Sequence, residues 1–142
     1  MGGVPIEGEK GLEGHSDADV LLHAIADAIL GAMSKGDIGE IFPDTNEEFR
    51  DMPSVEILRK AVDIMREGAF KIGNLDCVVV AEVPKIGPYR EKMKTTISSI
   101  LRTSSENVSV KGKTKERLGA VGRGEAIEAY ASVFLVKDDI RT

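Results

Sequence analysis

A run of five apolar residues at positions 77–81 is the feature that most constrains how this chain can fold. The run is rich in valine, whose branched side chain is favoured in strands. It lies inside the longer segment 75–83, which has the length of a strand rather than of a helix. We therefore predict a buried strand over residues 75–83, around which the other elements must pack.

Three segments carry apolar residues at helical spacing, which predicts helices over residues 17–34, 53–67 and 88–102. Ser16 is the expected N-cap of the first helix, with Asp19 at its third position. Pro53 suits the start of the second helix, and Gly36 and Gly68 are expected to end the first two. The residues predicted to face the core are Leu21, Ile25, Ala28, Ile29 and Ala32, then Val55, Leu58, Ala61, Val62 and Met65, then Met93, Ile97, Ile100 and Leu101.

The remaining chain supplies loops and two further strands. Residues 2–14 and 37–46 are expected to be extended or irregular, and residues 113–125 form a glycine-rich basic loop. Val108 and Val110 alternate with polar residues in a short strand, and residues 126–136 form the last strand, although their first half could also be helical. Strands and helices are mixed without strict alternation, which favours an α+β fold with one mixed sheet and helices on one face. No linker or repeat divides the chain, so residues 1–142 are interpreted as a single domain.

Composition excludes several functional classes. The net charge is −5 and no basic patch is visible, which argues against nucleic acid. No apolar run reaches the roughly 18 residues of a membrane span. The single cysteine, Cys77, excludes a disulfide framework and a cysteine-based zinc module, and it is interpreted as an inert core residue. The acidic, glycine-rich start is unlike a signal peptide, so a reducing cytosol is expected.

A polar stripe near the start of the first helix has the residue types of a metal site. Asp19, His23 and Asp27 are spaced four residues apart, on the side nearly opposite the apolar face. His15 and Asp17 lie close by, and His15 and His23 are the two histidines of the chain. Imidazole and carboxylate groups are suitable ligands for zinc or a similar divalent ion. A solvent-facing stripe with pairing between Asp19 and His23 is the alternative, and a metal would need ligands from elsewhere.

Two loop segments could present polar groups to a ligand. Residues 37–39 and 42–46 combine glycine and proline in a turn that could present Asp44, although a simple Asx or proline turn explains them equally. Residues 81–85 lie at the end of the predicted strand, where ligands often bind and where Lys85 could meet a phosphate. A solvated lysine is the alternative there.

The basic loop near the C-terminus suits an anion. Residues 113–119 and 122–125 bring together a threonine hydroxyl, several cations and glycine amides, which suit phosphate oxygens. The pattern is not a Walker A loop, because the preceding glycines are missing. The alternative is a solvated charged loop.

Taken together, these segments closely resemble the 2-C-methyl-D-erythritol 2,4-cyclodiphosphate synthase family. The match is carried by residues 14–20 with His23, and by residues 36–39, 42–45, 81–85, 113–116 and 122–125, in the order and spacing of the family. The resemblance covers nearly the whole chain. Each motif is weak alone, and six in register make the resemblance specific.

The resemblance implies a homotrimeric phosphorus–oxygen lyase of the non-mevalonate isoprenoid pathway, with active sites between subunits. The implied substrate is 4-diphosphocytidyl-2-C-methyl-D-erythritol 2-phosphate, which cyclises with release of CMP. Zinc or another divalent ion, with Mg²⁺ or Mn²⁺ as a second ion, would hold the diphosphate. The implied compartment is the cytoplasm of a bacterium, or the plastid stroma in a plant or alga.

The resemblance also implies roles for individual residues. His15 and Thr114 would stabilise the phosphates in the transition state, His23 would bind zinc, and Glu116 would bind the second ion. The implied methylerythritol pocket contains Ser16, Asp37, Ile38, Gly39, Phe42, Pro43, Asp44, Thr45 and Asn46. The implied cytidine side contains Ala81, Pro84, Lys85, Ile86, Gly87, Lys113, Lys115 and Glu116. Ala120 would also contact substrate, and Arg123 would contact phosphate or line a central channel with Glu125.

The chain departs from the family pattern in two places. The family's first strand, which ends in Asp-x-His and supplies two further zinc ligands, has no counterpart here, so the domain is expected to be N-terminally truncated. Weak or absent zinc, low activity and an exposed sheet edge are the expected consequences. Asn46 stands where the family usually has aspartate.

Two other functions compete with the leading prediction. A catalytically impaired trimer that still binds nucleotide or isoprenoid would follow from the missing zinc ligands. A His-Asp phosphohydrolase would need an adjacent His-Asp pair on an all-helical scaffold, and the sequence provides neither.

Overall fold

The computed structural model describes residues 1–6 and 19–138, which form one three-stranded sheet and a set of helices. The helices are α1 (Val20–Ala32), α2 (Ile38–Ile41), α3 (Ser54–Glu67), α4 (Arg90–Leu101) and α5 (Gly119–Gly122). The strands are β1 (Phe70–Val80), β2 (Val108–Lys113) and β3 (Glu128–Lys137). Short 3₁₀ turns cover Gly87–Tyr89 and Ser105–Asn107.

The valine-rich strand, predicted to be buried, lies at the centre of the sheet. The strand order is β2-β1-β3, with β1 parallel to β2 and antiparallel to β3. Leu75 pairs with Val108 on one side and with Val133 on the other. The predicted α+β fold with a single mixed sheet is therefore confirmed.

The bounds of β1 differ from the prediction. The strand begins at Phe70 and ends at Val80, instead of covering residues 75–83. Its first half contains Lys71, Gly73 and Asn74, which interrupt the apolar pattern, and the register with β3 shifts between Ile72 and Asn74. The early start is set by long-range pairing with β3, which a local pattern does not contain.

The helices cover one face of the sheet and leave the other open. Leu75, Cys77 and Val79 of β1 are buried among the apolar side chains of the helices. On the opposite face, Tyr130 and Phe134 of β3 are 58% and 63% exposed. The core therefore lies between one sheet face and a single helix layer. Within the described residues, β2 and β3 are the outer strands.

Helix α1 differs from its prediction at both ends. Asp19 is the N-cap rather than the third residue, and its side chain accepts a hydrogen bond from the Leu22 amide. The helix ends at Ala32, and Ser34 adopts a left-handed conformation with φ of 57° before Gly36 is reached. Ser16, the predicted N-cap, lies outside the described residues.

The buried face of α1 is also wider than predicted, because the helix packs against both α3 and β3. Leu22, Ala26 and Leu30 are buried in addition to Leu21, Ile25 and Ile29, whereas Ala28 is half-buried and Ala32 is exposed. The predicted faces of the other helices are buried, except that Val55 and Ile100 are partly buried. Helix α3 begins at Ser54 with Pro53 as its cap.

The two predicted loops contain short helices. Residues 37–46 include the single turn of α2, and residues 113–125 include α5, which follows the end of β2 at Lys113. Within the part of the chain that the structure describes, no helix combines the length and apolar character that crossing a membrane requires.

Candidate functional site

A large cavity lies where α1, α2 and the segment leading into α3 meet; we call it the His23 cavity. Its volume is about 860 Å³. Seven predicted site residues line it: His23, Ile38, Gly39, Phe42, Pro43, Asp44 and Thr45. The structure adds Phe49, Arg50, Asp51, Met52 and Ile57, which sequence reasoning missed. Phe42 and Phe49 meet edge to face with ring centres 5.4 Å apart, which gives this cavity an aromatic wall.

A second cavity, the Lys113 cavity, lies beyond the ends of the parallel strands β1 and β2. Its volume is about 590 Å³. Seven predicted residues line it: Ala81, Lys85, Ile86, Gly87, Lys113, Thr114 and Glu116. The position is set by the parallel pairing, which brings the C-terminal ends of both strands to one edge of the sheet. There the Ala81 amide donates to the Lys113 carbonyl at 2.9 Å.

Sequence reasoning missed three residues of the Lys113 cavity, Pro88, Arg90 and Gly112. Arg90 is the first residue of α4 and adds a third cation beside Lys85 and Lys113. A lone arginine at a helix start carries no sequence signal for a site. Among the described residues, Glu116 is the one carboxylate on its wall, so this lining is positively charged and suits an anion.

Six predicted residues line neither cavity: Asp37, Asn46, Pro84, Lys115, Ala120 and Arg123. Asp37 caps α2 by accepting from the Glu40 amide at 2.9 Å. Asn46 closes an Asx turn by accepting from the Glu48 amide at 3.0 Å, which is the simple turn that the sequence also allows for this segment. The Arg123 guanidinium pairs with Glu125 at 3.2 Å, and both side chains are exposed. His15 and Ser16 lie outside the described residues.

The carboxylates of the predicted metal stripe are engaged by backbone amides. Asp19 is buried, and its two oxygens accept from the amides of Gly2 and Gly3, each at 2.9 Å. Asp27 accepts from the Ile38 amide at 2.9 Å and so ties α1 to α2. Of the candidate stripe Asp19, His23 and Asp27, the two aspartates are therefore engaged by backbone amides rather than grouped with His23. Both carboxylates hold backbone segments in place, and His23 alone of the three lines a cavity.

The imidazole of His23 is held from inside the protein. Its Nε2 lies 2.9 Å from the hydroxyl oxygen of Ser54, a fully buried residue that begins α3. The same oxygen accepts from the Asp19 amide at 3.3 Å. The ring is half-buried, and its Nε2 is engaged by Ser54 of α3.

The loop after β2 is fixed in a strained conformation. Glu116 and Arg117 are both left-handed, with φ of 52° and 65°. The Glu116 amide donates to Thr114 Oγ1 at 3.3 Å, and the Arg117 amide donates to the Glu82 carboxylate at 2.7 Å. These bonds hold the segment that carries Thr114 and Glu116, two residues that line the Lys113 cavity.

The cysteine is unsuited to be a nucleophile. Burial, helped by the charge of Asp76 and opposed by Lys111, raises the pKa of the Cys77 thiol to about 12. Its Sγ donates to the Ser109 carbonyl at 3.3 Å. Cys77 is protonated at neutral pH, in agreement with its interpretation as a core residue.

The described residues do not complete a metal site by themselves. Within residues 1–6 and 19–138, no three histidine, cysteine, aspartate or glutamate side chains are grouped to hold an ion. His23 and Glu116, the two predicted ligands, line different cavities of the same chain. An ion bound at either residue would therefore need further ligands from outside the described residues or from a bound molecule.

The fold is that of an α+β protein with two separate cavities, one where α1, α2 and the segment before α3 meet and one beyond the ends of β1 and β2. The chain belongs to the YgbB family, whose model matches residues 1–136. This match covers every described element except the last residue of β3.

Named relatives point to one enzyme. The chain is 52% identical over 137 residues to the 2-C-methyl-D-erythritol 2,4-cyclodiphosphate synthase of Bacillus cereus (strain ATCC 10987 / NRS 248), covering 96% of this chain and 87% of that protein. The relative from Bacillus mycoides (strain KBAB4), which has the same name, is 51% identical with the same coverage.

Solved structures agree with this relationship. The bifunctional IspDF from Campylobacter jejuni superposes with a TM-score of 0.89 and 41% identity, covering 96% of this chain and 37% of that longer one. The IspF of Plasmodium falciparum, solved as a CDP complex, gives a TM-score of 0.78 and 39% identity, covering 89% of this chain and 76% of that one.

Proposed function

We propose that this chain is a 2-C-methyl-D-erythritol 2,4-cyclodiphosphate synthase. Its substrate is 4-diphosphocytidyl-2-C-methyl-D-erythritol 2-phosphate. An oxygen of the 2-phosphate attacks the β-phosphorus, a new P–O bond closes the ring, and the bond from the β-phosphorus to the bridging oxygen breaks. The bridging oxygen leaves with CMP, so the reaction needs neither water nor an oxidant. Relatives at 51% and 52% identity with this name support the assignment.

The observation that carries the proposal is the division of the predicted residues between two cavities. One set, implied for the methylerythritol end, lines the His23 cavity, and the other set, implied for the cytidine end, lines the Lys113 cavity. The substrate has a polyol end and a nucleotide end joined by phosphates. The CDP complex of the Plasmodium falciparum protein supports a nucleotide at a protein of this fold.

We propose that the active site forms between copies of the chain in a homotrimer. The Lys113 cavity of one copy would lie against the His23 cavity of its neighbour, so that one substrate spans both. The open sheet face supports self-association, because Tyr130 and Phe134 expose large rings there.

The residues of the Lys113 cavity account for much of the chemistry. Lys85 and Lys113 neutralise phosphate charge as it shifts towards the leaving CMP. Thr114 Oγ1 accepts the Glu116 amide, so its hydroxyl hydrogen can donate to a phosphate oxygen. An intramolecular attack mainly requires that the reacting groups be held in position.

Divalent ions are part of the proposal. His23 would be one ligand of zinc, and Glu116 would be one ligand of Mg²⁺ or Mn²⁺. Further ligands would come from outside the described residues or from the substrate. His15 is proposed to act with Thr114 on the phosphates. Bound ions would supply positive charge to the diphosphate.

A direct test follows the phosphorus atoms. Purified protein is mixed with the diphosphocytidyl substrate and Mg²⁺ with and without added Zn²⁺, and ³¹P NMR records the cyclic diphosphate and CMP. We expect both products in equal amounts. Thr114→Ser should retain most of the rate, whereas Thr114→Val should lower it about 100-fold, which is typical for loss of one donor to a developing charge.

Two outcomes would contradict the proposal. Release of CMP without a cyclic product would indicate hydrolysis, and binding of CMP without turnover under any metal condition would indicate a binding protein. Sedimentation of the same sample measures its oligomeric state, and a monomer would contradict the shared site.

A further inference from the structure

We infer that Ser54 is a positioning residue that sets which nitrogen of the His23 ring faces the His23 cavity. This rests on the proposed function in one respect, namely that a ligand occupies that cavity. No motif points to Ser54. It is singled out by its burial and by its contact with a ring that borders the cavity.

The Ser54 hydroxyl connects α3 to the start of α1. Ser54 is 0% exposed and is the first residue of α3, while His23 lies one turn into α1. Its Oγ accepts the Asp19 amide at 3.3 Å and lies 2.9 Å from His23 Nε2. The ring position is therefore set by how α1 and α3 pack together.

The two nitrogens of the His23 ring are chemically distinct. A neutral imidazole carries a hydrogen on one nitrogen and a lone pair on the other, and the partner of one nitrogen decides which form is present. Because Nε2 is engaged by Ser54, Nδ1 is the nitrogen left to meet a ligand in the His23 cavity. Without the hydroxyl, Nε2 loses this partner, so both tautomers and both ring orientations about the Cβ–Cγ bond become accessible.

The positioning role of Ser54 can be distinguished from the ordinary core packing of a buried serine. Ser98 is a matched control, because it is also a buried serine in a helix and is 5% exposed. Its hydroxyl donates to the Thr95 carbonyl of its own helix at 3.0 Å. Replacing Ser98 by alanine removes a similar group without touching His23.

The experiment reads the ring directly. Long-range ¹H–¹⁵N NMR reports the tautomer of each imidazole, and a His15→Gln background leaves His23 as the sole histidine. We expect one tautomer in the otherwise unchanged chain, in Ser98→Ala and in Ser54→Thr, which keeps the hydroxyl. Ser54→Ala should show a mixture of both tautomers.

Kinetics in the presence of His15 provide the second readout. Ser54→Ala should lower kcat about 10-fold with little change in KM, since the substrate contacts remain while the ring orientation is lost. Ser54→Thr should restore most of kcat. If Ser54→Ala does not fold, Ser54→Cys replaces it, because a thiol is a weak hydrogen-bond partner of similar size.

The outcomes distinguish the two proposals. A single, unchanged His23 tautomer in both Ser54→Ala and Ser54→Cys would overturn the positioning role, whatever the activity. Failure of the unmodified chain to form the cyclic product, together with scrambled tautomers in Ser54→Ala, would overturn the proposed function and leave the ring-positioning role intact.

Discussion

Gly122 lies so close to Arg117 that a side chain at position 122 would overlap the Arg117 backbone carbonyl carbon. The two residues close the loop that follows β2, and Gly122 belongs to α5. This contact packs the C-terminal part of the loop against the segment that carries Thr114 and Glu116 at the Lys113 cavity.

Gly122→Ala should displace this loop, because the overlap is with backbone rather than with a flexible side-chain end. Overpacking of this kind costs about 1–3 kcal/mol. We expect faster tryptic cleavage after Lys115 and Arg117, and CMP binding weakened at least 5-fold in calorimetry. Gly31→Ala is the control, since a Cβ there meets nothing within 4 Å and the residue lies inside α1. It should leave CMP binding unchanged and raise stability by about 0.5–1 kcal/mol. Equal CMP affinity in both variants would contradict the role of the contact.

Glu82→Ala should loosen the same loop from its other side. The Glu82 carboxylate accepts the Arg117 amide at 2.7 Å, where both Glu116 and Arg117 are left-handed. Without this bond the strained pair loses an anchor worth about 1 kcal/mol. We expect CMP affinity to fall about 5-fold for Glu82→Ala and less for Glu82→Gln, whose amide oxygen can still accept. Glu67→Ala, on an exposed residue at the end of α3, should have no effect. If Glu82→Gln binds CMP as weakly as Glu82→Ala, the negative charge of Glu82 matters more for CMP affinity than its hydrogen bond.

Asp19→Ala should strongly destabilise the fold. The buried carboxylate accepts from the amides of Gly2, Gly3 and Leu22, and so joins the first residues to the start of α1. Loss of an N-cap costs about 1 kcal/mol, and buried amides left without partners add to it. We expect urea unfolding to report a loss of about 2–4 kcal/mol. Asp19→Asn should lose less, and Asp63→Ala, at an exposed position of α3, should stay within about 0.5 kcal/mol. A small loss for Asp19→Ala would show that the amides find other partners.

Alkaline pH should destabilise the protein through Cys77. Its pKa is raised from 9.0 to about 12, so above pH 9 the unfolded chain loses a proton that the folded chain keeps. The contribution of Cys77 to stability is therefore constant below pH 9 and falls as the pH rises towards 12, by about 1.4 kcal/mol per unit for one proton. Other groups titrate in this range, so the measurement is the difference between the unmodified chain and Cys77→Ala in urea unfolding at pH 8 to 10.5. A difference that stays constant with pH would contradict the raised pKa.

Local patterns were sufficient to predict the three long helices and the three strands, but not their ends or the short helices α2 and α5. The valine run identified β1, and helical spacing identified α3 and α4, because burial on one face imposes a period on the sequence. The start of β1 at Phe70 depends on pairing with Lys137 of β3, 67 residues away, which no local window contains. The end of α1 was misplaced because Ser34, rather than the expected Gly36, adopts the first left-handed conformation.

The sequence predicts only part of the candidate site, because some of its features depend on contacts between distant segments. A carboxylate that binds a metal and one that accepts backbone amides look alike in sequence, so spacing alone could not show that Asp19 and Asp27 hold backbone segments. Ser54 was missed because its partner, His23, is 31 residues away. Spacing also could not show that the predicted residues divide between two cavities, since that division depends on where α1 and the ends of the strands lie in the folded chain.

The separation of the His23 and Lys113 cavities has a genetic consequence under the proposed shared site. A chain damaged in one cavity still carries an intact copy of the other, and two chains with opposite defects can assemble together. Within a mixed trimer, the intact His23 cavity of one chain can then face the intact Lys113 cavity of its neighbour at one subunit boundary. Another boundary then contains both damaged cavities. Two alleles that are each inactive alone should therefore complement one another when they are expressed in the same cell.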